Sequence, residues 1–339
     1  MYMSDIFYPV AHRSQEEIDA LKMRYETFDD GLIPRLVKDS VGLTATTWMK
    51  PATWGTSHVT YIVSVKERER PVVLRANNGP KEPETYMIVE KMITDEVATL
   101  GIPVNRILFV DISRKTYPFD YQIQEGLEGK DIEDNFHGTR EDYDQMSFDL
   151  GRYIAMWGDL SFKNFGRFRV NPTGILLEGS KQSMYEYILV RLDEDIRFLV
   201  DHGVFDAKKA DAVRKLFDAR KAVMSCPVGT LVHYDLADHN IMFDGQNSIT
   251  GIFDWEAAVV GDPILDLASC PMWKTHYPRE KKLIEGYKSI RDLPNFFKEK
   301  MDIYRLRTML WKMVYAIRAG ILNEDRKKKF DAALVPFKI

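Results

Sequence analysis

Three oxygen-bearing side chains in the second half of the chain have the types and spacing to do chemistry together. Asp235 stands five residues before Asn240, on a stretch from Leu231 to Phe243 that is apolar at both ends and polar in its middle. Asp254 closes the next apolar run, Ile252-Phe253. Two carboxylates and an amide on a loop between short strands suit phosphoryl transfer. One carboxylate accepts a hydroxyl proton, while the amide and the second carboxylate hold Mg²⁺ against the phosphates. Magnesium takes oxygen ligands and keeps several waters, so one carboxylate and one amide oxygen can suffice as protein ligation.

Such groups need rigid elements to hold them. Val59, Tyr61, Val63 and Val65 alternate with their neighbours, as a half-buried strand requires. A charged turn, Glu67 to Arg70, leads to a second strand at Val72–Arg75, so the two form a hairpin. Glu84 to Leu100 predicts a helix with apolar residues at Met87, Met92, Ile93 and Val97, stopped by Gly101 and Pro103. Strands are expected at Val104–Val110 and Tyr121–Gln124, and an N-capped helix after Ser14. Beyond Gly129 the pattern turns mainly helical, at 141–157, 184–200, 207–224 and 300–320, with short strands at Leu231, 241–243 and 249–253. The composition changes near 126–129. The expected fold is α+β, with a β-rich part over 1–125 and a helical part over 126–339.

The motif carries a resemblance. His233-x-Asp235-x-x-x-x-Asn240 looks like a kinase catalytic loop, and Ile252-Phe253-Asp254 like the strand that bears a metal-binding aspartate. The run from Gly261 to Ala268 is similar to the block that follows in aminoglycoside phosphotransferases, small-molecule kinases related to choline kinases. The resemblance implies a two-lobed, protein-kinase-like fold, with ATP or GTP between the lobes and Mg²⁺ as cofactor. It assigns Asp235 as the catalytic base and Asn240 and Asp254 as metal ligands. Two departures point away from protein kinases. Tyr234 stands where those enzymes carry an arginine that pairs with a phosphorylated loop. Six residues separate Asp254 from Gly261, too few for a long activation segment.

The same resemblance places the remaining nucleotide contacts. Gly55, Thr56 and Ser57 precede the first strand and would cover the phosphates, the glycine allowing close backbone approach. Arg75 occupies the place of the usual phosphate-pairing lysine; its planar fork grips phosphate differently from an ammonium. Lys66, across the hairpin, is the alternative cation and reads as a solvated strand end. Glu90 is the helix partner of Arg75, with Glu84 and Glu96 as competing positions. The backbone from Gln124 to Gly126 would meet the adenine edge. Asp266 would tie the backbone of the catalytic loop, and His233 would brace that loop. Glu256 would bind a second magnesium, orient Asp254, or serve as a surface or capping carboxylate.

Composition bounds the rest. The 339 residues are 45% hydrophobic and 29% charged with a formal net charge of −4, giving no general pull toward nucleic acid or anionic membrane. Two distant cysteines, Cys226 and Cys270, exclude a disulfide scaffold and suit a reducing cytoplasm. No basic start followed by an apolar run opens the chain, and no apolar stretch reaches the roughly 20 residues of a membrane span. Arg326 to Lys329 reads as a solvated helix end.

The acceptor is the least specified part. From Glu128 to Asp149 there are eight acids against two bases. Asp131, Glu133, Asp134, Glu141, Asp142 and Asp144 would line a cleft for a cationic aminoglycoside or choline-like amine, or would be a solvated helix start whose acids suit the dipole. Relatives within the family act on antibiotics, choline, sugars and homoserine, so antibiotic resistance and primary metabolism both stay open. A nucleotide-binding pseudokinase is the other alternative, with Arg75 its best argument.

Overall fold

The computed structural model describes residues 16, 19, 23–51, 58–79, 86–170 and 177–339. Gly55, Thr56, Ser57, Glu84 and the helix start at Ser14 lie outside the described residues. The chain divides into two compact units. The first lies within Arg13–Asn135 and His239–Glu256; the second contains Phe136–Asp238 and Ala257–Ile339. The division thus falls at residue 135 rather than 125, and the segment bearing Asn240 and Asp254 belongs to the first unit.

The first unit opens with helix α1 (Ile33–Val41) and strands β1 (Ala45–Met49), β2 (Val59–Val65) and β3 (Val72–Asn77). Helix α2 (Tyr86–Thr99), strands β4 (Ile107–Asp111), β5 (Asp120–Glu125) and β6 (Lys130–Asp131), and a short helix α3 (Ile132–Asn135) follow. The main sheet has the order β1-β2-β3-β5-β4, antiparallel at every pairing. Alternation works as expected. Val59, Tyr61, Val63 and Val65 are buried on one face of β2, and Val72, Leu74 and Ala76 on one face of β3. They pack with Ile33, Leu36, Phe119 and Ile123 into the core of this unit. The same period of two turns Arg75 to the opposite face of β3.

In the second unit come α4 (Arg140–Trp157), β7 (Ser161–Phe162), β8 (Phe165–Val170), β9 (Leu177–Lys181), α5 (Met184–Ile188), α6 (Leu192–Asp201), α7 (Ala207–Ala219) and β10 (Gly229–Val232). The chain next contributes β11 (Ile241–Phe243) and β12 (Ile249–Ile252) to the first unit, where they form a three-stranded sheet, β12-β11-β6. It resumes with β13 (Val259–Gly261), α8 (Ile264–Ser269), α9 (Glu280–Lys288), α10 (Phe297–Arg318) and α11 (Glu324–Leu334). Thr139 caps α4 in a reciprocal capping box with Asp142, and Tyr143, Met146, Leu150, Ile154 and Trp157 bury one stripe of that helix. Helices α4 and α9 meet at paired glycines. A Cβ on Gly151 would lie 2.1 Å from the Leu283 carbonyl oxygen, and one on Gly286 would lie 1.9 Å from that of Phe148. No larger residue fits that crossing.

The region after Gly129 is mainly helical with short strands, as expected, and also holds strands that were not expected: β7, β10, β13, β8 and β9 form a five-stranded sheet in that order. Two expectations need correction. The expected helix over 184–200 is broken, because Arg191 takes φ +57° and Arg307 binds the carbonyls of Ile188 and Val190, each at 2.8 Å. Arg326 to Lys329 sits in the first half of α11, not at a helix end; Lys329 donates to the Trp273 carbonyl at 2.7 Å. Among the described residues no helix is long and apolar enough to cross a membrane.

Candidate active site

In the first unit the site grows around Arg75. Its Nη1 donates to both oxygens of Glu90 at 3.0 Å, and its Nη2 donates to Asp254 Oδ1 at 3.0 Å and Glu256 Oε2 at 3.1 Å. Helix α2 presents Glu90 from its buried face, where Met87, Ile93 and Val97 anchor it in apolar packing. Gln122 on β5 donates to Glu90 Oε2 at 2.9 Å, so Glu90 is fixed from two strands. His58, at the head of β2, meets Glu256 Oε2 at 2.6 Å. Burial opposes the Arg75 charge, yet Glu90, Asp254 and Glu256 together push its pKa above the ordinary arginine value. Of the two other candidates for Glu90's place, Glu96 is exposed. Lys66, the alternative to Arg75, is exposed as well.

Asp254 and Asn240 reach the same end of the β11–β12 hairpin. Ile241 pairs with Ile252, and the Phe253 amide then donates to the Asn240 carbonyl at 3.1 Å. Asn240 is 2% exposed, in a tight turn over Asp238–Asn240. Asp254 has φ +65°, a conformation that costs a non-glycine residue energy and is kept where function fixes it. Three carboxylates face one guanidinium here. That surplus of acidic oxygen fits a hard divalent cation. Among the described residues no group of three or more His, Cys, Asp and Glu side chains could hold a metal unaided; a nucleotide's phosphates and water would complete the shell.

The backbone expected to meet a base is partly engaged. The Glu125 amide donates to the Arg106 carbonyl at 2.8 Å, and the Gly126 amide to the Pro71 carbonyl at 3.0 Å. The Gln124 side chain is buried and accepts from Asn105 at 2.9 Å. Any base contact at Gln124–Gly126 therefore falls to carbonyl oxygens, not to these amides.

In the second unit Asp235 sits on a loop braced from both sides. Asp266 on α8 accepts from the amides of His233 at 2.9 Å and Tyr234 at 2.7 Å, and from Trp157 Nε1 at 3.2 Å. Burial pushes the Asp266 carboxyl up to about 7 against the pull of these three donors. The Asp235 amide donates to His233 Nδ1 at 3.3 Å, the bracing role expected of that histidine. On the far side Asp238 accepts from Arg279 Nη1 at 2.6 Å and from the Tyr143 hydroxyl at 2.8 Å. Tyr234 has φ +69°, and its buried hydroxyl accepts from Trp311 Nε1 at 2.9 Å.

The acids expected to line an acceptor cleft have local partners. In the first unit Asp131 accepts from the Asp134 amide and the Asn135 side chain, and Glu133 meets His239 Nδ1 at 2.8 Å. In the second, Asp142 serves the Thr139 cap and Asp144 pairs with Arg140 at 3.6 Å. Asp134 and Glu141 are exposed. Asp142 thus belongs to a helix start, as the second reading expected. Cys226 and Cys270 are free thiols whose pKa burial pushes to about 12 and about 11, which removes them as nucleophiles.

Lys312 carries no signal that sequence reasoning singled out. It lies on α10, 7% exposed, with its Nζ over the Trp273 ring at 2.9 Å from the centroid. It shares a helical face with the buried Met301 and Thr308.

Comparison with known proteins follows the same lines. The sequence profile of a phosphotransferase enzyme family matches residues 48–290. No curated protein matches the sequence. A proposed fructosamine-3-kinase of Thermobifida fusca is 17% identical, with a TM-score of 0.66 over 91% of this chain and 99% of that one. A thermostable mutant of the aminoglycoside phosphotransferase APH(4)-Ia, solved with AMP-PNP and hygromycin B, is 18% identical, with a TM-score of 0.64 over 90% and 98%. The streptomycin–ATP complex of APH(2")-IIa is 13% identical, with a TM-score of 0.59 over 91% and 97%. At these identities the likeness is one of fold, the protein-kinase-like α+β class that the sequence implied.

Proposed function

The chain belongs to the phosphotransferase enzyme family, and from that premise we propose that it is a Mg²⁺-dependent small-molecule kinase, moving the γ-phosphate of ATP or GTP onto a hydroxyl of a small polar acceptor. The observation that carries this reading is the Arg75 guanidinium, gripped by Glu90 with one nitrogen and by Asp254 and Glu256 with the other. A strand cation tied to a helix glutamate and to the acid ending the β11–β12 hairpin is the apparatus for steadying a triphosphate.

The roles divide by position. Asp235 takes the acceptor's proton as its oxygen bonds to the γ-phosphorus and the bond to the nucleoside diphosphate breaks. Asn240 and Asp254 hold Mg²⁺, which when bound neutralises charge developing on the phosphates. Arg75, braced by Glu90, aligns the α- and β-phosphates, while carbonyls near Gln124–Gly126 face the base. Gly55, Thr56 and Ser57 would cover the phosphates. Asp266 and His233 hold the Asp235 loop in the attacking geometry. The free thiols at Cys226 and Cys270 suit the reducing cytoplasm.

Release of ADP or GDP is the test, assayed with kanamycin, hygromycin B, choline, homoserine and sugars as acceptors, together with thermal shift by Mg-ATP. Asp235→Ala should lose turnover by about 10²-fold or more and keep nucleotide affinity, since proton transfer contributes on that order. Asp254→Ala should lose both. An Asp254→Ala protein that binds Mg-ATP and turns over normally overturns the metal assignment. Nucleotide binding with no transfer to any acceptor would favour the pseudokinase.

A further inference from the structure

We propose that the acceptor carries an anionic group, a carboxylate, which binds at the Lys312 ammonium beside Asp235. The inference rests on the reading above, in which Asp235 receives the acceptor's proton. It concerns the second unit alone.

Lys312 is 7% exposed and its Nζ has no hydrogen-bond partner. Its Nζ lies over two aromatic rings, 2.9 Å from the Trp273 centroid and 5.4 Å from that of Trp311. A ring face offsets part of the cost of a buried ammonium without removing it. Buried polar groups almost always find partners, and an exception marks a place where something else supplies the acceptor.

The charges facing Lys312 say what that something is. Asp235 is the carboxylate that favours its charged form, while Lys329 and Arg326 from α11 add positive charge. The buried Cys270 thiol is the other titratable neighbour. Lys329 is partly offset by the exposed Asp325 at 3.1 Å. Burial above all, with the two cations, holds the lysine well below its ordinary pKa, and a second carboxylate beside Nζ would favour its charged form. A polycationic aminoglycoside would add a further cation to this surplus. A carboxylate balances it and gives Nζ the acceptor it lacks.

Position separates acceptor from nucleotide as the source of that charge. Lys312 lies beyond residues 48–290, the part matched by the family profile, so it is not among the features shared through that profile. Trp273 is half-buried, so the ring over Nζ is not sealed within the core.

Paired probes that differ by one charge test this: glycerate against glycerol, and gluconate against glucitol, with kanamycin as the cationic arm. Wild type, Lys312→Met and Lys312→Arg are compared by thermal shift, tryptophan fluorescence and ADP release. The hydroxy acids should exceed their alcohols by at least tenfold in Kd or kcat/KM in the wild type. Lys312→Met should erase that preference and Lys312→Arg should keep most of it. Lys312→Met should melt no lower than wild type, because it removes an unpaired charge at nearly constant volume. Hydroxy acids no better than their alcohols, or kanamycin preferred to both, overturns the proposal. So does a Lys312→Met protein that keeps the acid preference but binds Mg-ATP tenfold more weakly, which would assign the lysine to the γ-phosphate. Lys312-dependent binding of hydroxy acids with no ADP release from any acceptor would leave the anion site standing and overturn the phosphotransferase reading.

Discussion

Arg75→Met removes the centre of the first unit's charged network and leaves its surroundings nearly isosteric. The guanidinium donates four hydrogen bonds at 3.0–3.1 Å to three carboxylates, and Arg75 and Glu90 side chains are 11% and 2% exposed. Without Arg75, Glu90 retains only the Gln122 amide among its hydrogen bonds described above. Stranding a buried carboxylate in this way costs about 3–5 kcal/mol. Asp254 and Glu256 are 29% and 25% exposed, so water compensates them and they add little to that figure. The double variant Arg75→Met/Glu90→Met replaces both charges by packing groups and should recover most of the loss, giving a coupling of about 2 kcal/mol or more. Equilibrium urea unfolding, read from the midpoint at constant slope, measures both. A loss below about 1 kcal/mol for the single variant, or additive costs in the double, would refute the view that Arg75 and Glu90 form one buried unit.

The Asp235 loop offers two further tests. Asp266→Asn sets an amide against the three donors that the carboxylate accepts, and should cost about 2–4 kcal/mol and lower kcat more than it raises KM. Because the Asp266 pKa is raised to about 7, its folded form binds a proton that the unfolded chain has released above pH 4. Wild-type stability from this group is therefore full below about pH 4 and lost as pH rises toward 7; urea midpoints of wild type and Asp266→Asn across that range should diverge most at low pH. Arg279→Met leaves Asp238, 1% exposed, with the Tyr143 hydroxyl and without its cation, and should destabilise by about 3–5 kcal/mol in the same assay. A change under 1 kcal/mol would show that the loop is held by other means.

How far the sequence could be read depended on where each instruction resided. The Asp235–Asn240–Asp254 spacing was legible in the residue types, while the partnership of Arg75 with Glu90, seen here as two hydrogen bonds, was implied by the resemblance to kinases and not by any local period. The second five-stranded sheet was not. Its strands run two to six residues, and Leu177–Lys181 or Phe165–Val170 carry glycine and charge that read as loop; pairing with distant strands, not local alternation, makes them strands. The break between α5 and α6 has no glycine or proline to announce it. Arg307, more than a hundred residues on, takes the carbonyls of Ile188 and Val190 and pairs with Asp195 at 2.8 Å. Lys312 escaped because a lysine in a long helix reads as solvated until the helix is seen to be buried on nearly all sides.

Tyr234 has one last implication. Its ring is 1% exposed and its hydroxyl is held by Trp311, a residue of α10. In enzymes where an arginine occupies that place, adding or removing a phosphate elsewhere switches the neighbouring base on or off. A phenol locked into a helical core answers to no such signal. Whatever regulates this chain therefore does not pass through a phosphate-paired side chain at position 234.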